Sequence, residues 1–182
     1  MAADADAAPR VCRAEPDTVE QPGTPSNIRM ATPEDAALLS EIAFRSKAYW
    51  RYDHEFMEAC RAELTLSAAY FSTHQVFVLE VAGHAVGFYS VRQQDTTAEL
   101  GTLFLEPHTI GHGYGRQLWQ HALTTARQLG CHELLIDSDP HAEGFYRAMG
   151  AQRIGVSPSG SIPGRMVPLL RFELAQHATN AG

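Results

Sequence analysis

Lysine is nearly missing from this chain. Lys47 is the single one in 182 residues, and the other thirteen basic residues are arginines scattered from Arg10 to Arg171. Against them stand 21 acidic residues, for a formal net charge of -7. With no basic stripe or patch, the electrostatic footprint of a nucleic-acid-binding protein is absent. Long apolar runs are lacking too. No stretch approaches the roughly 20 apolar residues of a membrane span, and the N-terminus lacks the basic-then-apolar order of a signal peptide, so a cytoplasmic location is expected. Cysteine is scarce: Cys12, Cys60 and Cys131 are odd in number and unpatterned in spacing. Neither a disulfide framework nor a zinc-ligand repeat is read from them, and free thiols are expected.

What is present is a globular composition, 45% hydrophobic, in a chain long enough for one sizeable core and short for two. Residues 1 to 26 are rich in Ala, Pro and acidic groups and nearly empty of large apolar side chains, so burial cannot offset their ordering cost. A disordered tail is expected there, with one domain over 27 to 174 and a frayed end over 175 to 182. Ile28 and Met30 give a first strand. Thr32-Pro33-Glu34-Asp35 reads as a capping box with Pro at the first helical position, opening a helix that carries Ala36, Leu39, Ile42 and Ala43 on one face to about Ser46. Asp53 caps a second helix with Met57, Cys60, Leu64 and Phe71 on one side. Strands over Gln75 to Val81 and Val86 to Val91 flank an Ala82-Gly83 hairpin turn, and Glu99 to Leu105 forms a third, well-buried member. After it come a helix to Leu129 ended by Gly130, a strand at Leu134 to Ile136, a helix from Ala142 to Met149, a strand at Ile154 and Val156, and a last strand, Met166 to Leu174, that closes the sheet. The order is β-α-α-β-β-β-α-β-α-β-β: a mixed α/β fold with a central seven-stranded, mostly antiparallel sheet and helices on both faces.

The chain is organised around the turn between the Glu99 strand and its helix, where Gly111, Gly113 and Gly115 stand at alternate positions. Glycines admit close backbone approach, and the first N–H groups of the helix would face an anion held there. A Walker loop needs Lys followed by Ser or Thr, and Arg116-Gln117 stand in that place. The dinucleotide fingerprint needs a longer last gap between glycines. A tight strand-to-helix turn without any ligand fits the glycines equally well.

The block nevertheless resembles the first motif of the GNAT family of N-acetyltransferases: a strand, then Gln or Arg, two variable residues, Gly, one variable residue and Gly or Ala, then a helix. Gly113 and Gly115 fall on the small positions, Gly111 and His112 on the variable ones. Ile110 departs from the usual Gln or Arg, which removes a side-chain donor and leaves the backbone donors. Residues 137 to 150, DSDPHAEGFYRAMG, resemble the family's second motif, with Asp139 at its Asn position, Ala142 at its Ala, Phe145 and Tyr146 at the aromatic pair and Gly150 at its Gly; Ala151 replaces the closing Phe. The resemblance spans about residues 27 to 174. It implies the GNAT fold and the diphosphate of acetyl-coenzyme A in a cradle of Ile110, Gly111, His112, Gly113, Tyr114, Gly115 and Arg116. It further implies that Asp139 and Ala142 contact the cofactor and that backbone groups near Phe104 and Leu105 pair with its amide arm and thioester.

The implied chemistry is acetyl transfer to an amine by direct attack, which needs a proton donor for the departing thiolate. Tyr146, a phenol of ordinary pKa near 10, is the candidate acid; a core aromatic is the plainer alternative. Glu99, where relatives often carry a carboxylate, is the candidate base, with His84 and Asp95 behind it and a surface glutamate as the plainer reading. His108, His112 and His141 lack a carboxylate at ligand spacing, so no metal is expected. The resemblance places the acceptor between the first helical link and the last loop. Lys47, Tyr49, Trp50 and Tyr52 there offer aromatic walls and a cation, and Ser161 and Arg165 a hydroxyl and a guanidinium. Together they suggest a small amine that also bears an anionic group, such as an amino acid. Packing of a helix corner is the plainer role for Trp50 and Tyr52. Acetylation of a protein or peptide, and a non-catalytic acyl-CoA sensor, are the other readings, and the resemblance raises a homodimer through the last strands.

Overall fold

The computed structural model of the chain describes residues 25 to 174. The tail expected over 1 to 26 and the frayed end over 175 to 182 therefore lie outside the described residues, Cys12 with them, except that Ser26 opens the first strand rather than ending a tail. That strand, β1 (Ser26–Met30), leads through a single 3-10 turn, Pro33–Asp35, into α1 (Ala36–Ala48), which runs one half-turn past its expected end. The capping box forms: the Thr32 N–H donates to Asp35 Oδ2 at 2.9 Å, and the same carboxylate receives two 2.8 Å hydrogen bonds from Arg29. In α2 (His54–Leu64) the Asp53 carboxylate caps the Phe56 N–H at 2.8 Å.

Phe71 is not on that helix. The chain leaves the helical path at Thr65, buries Leu66 with its N–H on Ser40 Oγ, and begins a separate short helix, α3 (Ala68–Thr73). Burying Leu66 in the cluster under α1 outweighs another turn of helix that would have left it on the outer side. The remaining elements are β2 (Gln75–Val81), β3 (His84–Gln94), β4 (Thr97–Leu105), α4 (Tyr114–Gln128), β5 (Glu133–Asp137), α5 (Glu143–Ala148), β6 (Gln152–Pro158) and β7 (Met166–Glu173).

The seven strands form one sheet in the order β1-β2-β3-β4-β5-β7-β6, in which β4 and β5 are the parallel pair and every other pairing is antiparallel. The last strand does not close the sheet: β7 inserts between β5 and β6. Burial explains the choice. Leu170 of β7 is fully buried, whereas β6 buries nothing and leaves Ile154 and Val156 about half exposed, as an edge strand can. One core cluster lies under α1, α2 and α3 around Leu39, Ile42 and Phe88; the other lies under α4 and α5 around Leu118, Trp119 and Ile136.

One irregularity positions the site. β4 pairs with β5 only from Thr97↔Glu133 to Leu100↔Ile136, then runs on to Leu105 beside β3 alone, so the sheet forks. At the fork the β3–β4 register slips between Ser90 and Val91, leaving Gly101 as a bulge. A Cβ on Gly101 would stand 2.7 Å from Ser90 Oγ and 2.9 Å from the Tyr70 hydroxyl, so a larger residue would force those side chains to shift.

Candidate active site

Beyond the fork, the free edge of β4 lines a cleft of about 700 Å³. Which backbone groups face it follows from the ladder. The Glu106 N–H donates to Val86 O at 2.8 Å, so in the antiparallel alternation Phe104 and Thr102 also spend their backbone groups on β3. Those of Leu103 and Leu105 point the other way, into the cleft. Phe104 is thus corrected from the expected backbone donors, and Leu103 takes its place. Leu105 agrees with this direction, because its N–H reaches Ser46 Oγ of α1 across the gap, at a loose 3.4 Å.

At the far end of this edge Gly111 and Gly113 adopt left-handed φ values of 93° and 89°, conformations that other residues rarely take. Gly113 is the N-cap of α4, with no side-chain cap and no acidic residue in the first turn, so the helix start remains open to an anion. Gly115 lets this turn close on its surroundings: a Cβ there would meet the Phe145 ring at 3.3 Å and Leu105 at 3.5 Å. Ile110 and Arg116 line the cleft beside it. His112 and Tyr114 stand off this wall, with their rings stacked on each other at 6.4 Å. Arg116 is exposed and pairs with no carboxylate among the described residues. Arg116→Ala is expected to weaken coenzyme A binding about tenfold, with the difference shrinking as salt rises; titration calorimetry at two ionic strengths measures it.

Tyr146 of α5 lies buried on the wall of the same cleft, its ring 5.6 Å from Trp119 and 5.1 Å from Phe145. Its hydroxyl makes no hydrogen bond among the described residues. Burial, and secondarily the charge of Asp139, push the phenol well above the ordinary tyrosine range, so it stays protonated at neutral pH. Asp139 receives hydrogen bonds from Lys47 Nζ at 2.7 Å, the Tyr52 hydroxyl at 2.9 Å and the His141 N–H at 3.0 Å. Burial alone would raise this carboxyl, but the Lys47 hydrogen bond and charge outweigh it and hold it below the usual range.

A model of the Acetyltransferase (GNAT) family matches residues 40–151. The chain belongs to the GNAT family. It is accordingly an acetyl-CoA-dependent N-acetyltransferase, and the open β4 edge, the left-handed glycines and the uncapped start of α4 fit that cosubstrate. Among GNAT relatives it is 31% identical over 149 residues to the peptidyl-lysine N-acetyltransferase YjaB of Salmonella typhimurium, covering 80% of this chain and 96% of that one. Its fold is similar to that of the PaiA N-acetyltransferase of Thermoplasma acidophilum solved with coenzyme A, at 18% identity, TM-score 0.69, and 82% and 99% of the two chains. It is also similar to YncA of Salmonella typhimurium solved with acetyl-CoA, at 22% identity, TM-score 0.58, and 85% and 97%.

The end of the cleft expected to take the acceptor differs from expectation in several respects. Lys47 is not free to hold an anionic substrate, because its charge is spent on Asp139 with both side chains mostly buried. Arg165 donates to the Tyr52 hydroxyl at 3.2 Å and lies over the Phe56 ring at 4.6 Å. Trp50 lines the cleft with its ring stacked on His141, while Tyr49, Tyr52, Ser161 and Arg165 stand behind or outside its walls. Ala142 and Glu99 line it too. Glu99 Oε2, however, already accepts from Arg92 at 2.5 Å and Gln94 at 3.2 Å. His84 and Asp95 sit at hairpin turns off the cleft. No group of three His, Cys, Asp or Glu residues close enough to hold a metal ion occurs among the described residues, and no helix among them is long and apolar enough to cross a membrane. Sequence reasoning missed Ser46, Glu63, Tyr70 and His74, all on the cleft wall. Only the i, i+4 spacing of Tyr70 and His74 signalled that the last two share a face.

Proposed function

We propose that this GNAT enzyme acetylates a small primary amine, which attacks the thioester directly while Tyr146 returns a proton to the departing thiolate. The observation that carries this reading is Tyr146 itself: a buried, protonated phenol without a hydrogen bond among the described residues, on the wall of the cleft that the free β4 edge also lines. No side chain need serve as a nucleophile, since an amine attacks unaided once neutral.

The acceptor follows from charge. Glu63 lies on the cleft wall with no basic partner among the described residues, and Trp50 with His141 supplies a flat aromatic surface, an arrangement that supports a cationic acceptor. An anionic handle on the acceptor would have to rely on Arg165, already engaged with Tyr52, so that part of the sequence expectation loses its support from Lys47. The kinship with a peptidyl-lysine acetyltransferase favours a second reading, in which the amine is the lysine of a peptide. A panel of diamines and polyamines, amino acids, aminoglycosides and lysine-bearing peptides, assayed by release of free thiol, separates the two. Small alkyl amines are expected to have kcat/KM at least tenfold above the amino acids and the peptides. Turnover confined to peptides would replace the first reading with the second.

A further inference from the structure

We propose that His74 is the base that takes the proton from the attacking amine. The inference rests on the direct-attack reading above and assigns the residue which that reading leaves open. His74 stands just beyond α3 at the fork of the sheet, its Cδ2 3.3 Å from the Cβ position of Gly101, and it lines the cleft shared by Tyr146. From Leu105 back to Gly101 the free edge spans about 13 Å at roughly 3.3 Å per residue. An extended amide arm leaving the glycine turn along this edge therefore delivers its thioester towards the fork.

The ring is held in place. It stacks on Tyr70 at 4.0 Å with the planes 2° apart, and the Tyr70 hydroxyl is itself tied to Ser90 Oγ at 2.6 Å. Nδ1 lies 3.3 Å from the Tyr70 carbonyl, which can only accept, and 2.9 Å from Thr73 Oγ1. The Thr73 hydroxyl stands 3.1 and 3.4 Å from the carbonyls of Tyr70 and Ala69, and when it donates to one of them it accepts from Nδ1. A hydrogen on Nδ1 serves both contacts, and it is the tautomer that a base acting through Nε2 requires. In that tautomer Nε2 carries a bare lone pair, and it has no partner among the described residues.

The charged groups facing the ring are Arg92 of β3 and Glu99 of β4. Burial, opposed by the Tyr70 carbonyl and helped by Arg92 against Glu99, lowers the imidazole below the ordinary histidine range and keeps it neutral at pH 7. Glu99 is charge-paired with Arg92, which with Gln94 holds its Oε2. The step balances: the amine nitrogen bonds to the thioester carbon, its proton passes to His74 Nε2, the C–S bond breaks, and Tyr146 protonates the sulfur. Solvent then exchanges the proton from imidazolium to phenolate.

The test uses the fastest acceptor of the panel, peptides included, so that a wrong acceptor class and a wrong base are told apart. His74→Ala and His74→Gln should lower kcat about 100-fold with acetyl-CoA affinity kept within about twofold. Added imidazole should restore the Ala variant at least about tenfold. The acid limb of the wild-type kcat/KM profile, below pH 6.5, should vanish in both variants, and Glu99→Gln should cost less than about tenfold. Activity retained in His74→Gln, a loss that imidazole leaves unrescued, a collapse in Glu99→Gln alone, or loss of acetyl-CoA affinity in both His74 variants would each overturn the assignment.

Discussion

Tyr146→Phe should lose about 100-fold in kcat while binding acetyl-CoA as tightly as the parent protein. The separation follows from where the hydroxyl sits. Phe preserves the ring contacts with Trp119 and Phe145 that seat α5 on the core, and no protein hydrogen bond is lost, because the hydroxyl makes none among the described residues. Stability should therefore change by less than about 1 kcal/mol. What disappears is a proton held on a buried phenol at the cleft wall. The folded phenol titrates above its ordinary range, so the acid form persists through alkaline conditions, and no loss of activity between pH 7 and 9 should trace to its ionisation. Steady-state kinetics with calorimetry of acetyl-CoA binding measures both halves. An unchanged kcat would take the acid role from Tyr146.

The second large effect is expected from atoms that no side-chain substitution reaches. Replacing the amide of Leu103 or Leu105 with an ester removes one N–H from the free edge of β4. One of the two should cost about 100-fold in kcat/KM, the scale at which a single preorganised donor to a developing oxyanion acts. Neither should lower Tm much, because neither N–H belongs to the β3–β4 ladder, and the Ser46 contact of Leu105 is long. The same replacement at Phe104 should do the reverse. It deletes a ladder hydrogen bond opposite Phe88, worth about 1 kcal/mol, and spares catalysis. If the Phe104 ester were the kinetically damaged one, the direction assigned to the strand edge would be wrong.

Local signals in the sequence carried far. Thr32 to Asp35 and Asp53 act through bonds within three residues, and Ala82-Gly83 turns the hairpin with φ of 50° and 81°, so short-range chemistry sufficed to find them. The glycine turn and the Tyr146 segment were legible because their spacing is a family pattern. Contacts closed by the whole fold were not. Lys47 and Asp139 are 92 positions apart, and nothing near Lys47 announces the carboxylate that neutralises it. The insertion of β7 between β5 and β6 depends on which strand can tolerate an exposed edge, a comparison between elements rather than a property of either. Helix periodicity ran through Thr65 to Ser67 because it counts apolar positions, and it could not register that Leu66 is buried from a different backbone path. His74 escaped for the same reason: its meaning comes from Gly101, a bulge opposite Ser90 that exists only once the sheet has forked.

A crystal structure with acetyl-CoA bound tests the central geometry most directly. The diphosphate should lie within hydrogen-bonding distance of main-chain N–H groups between Gly111 and Arg116, the amide arm should run along Leu105 and Leu103, and the sulfur should rest beside the Tyr146 hydroxyl. Density that puts the diphosphate away from the glycine turn, or the thioester out of reach of Tyr146, would contradict it.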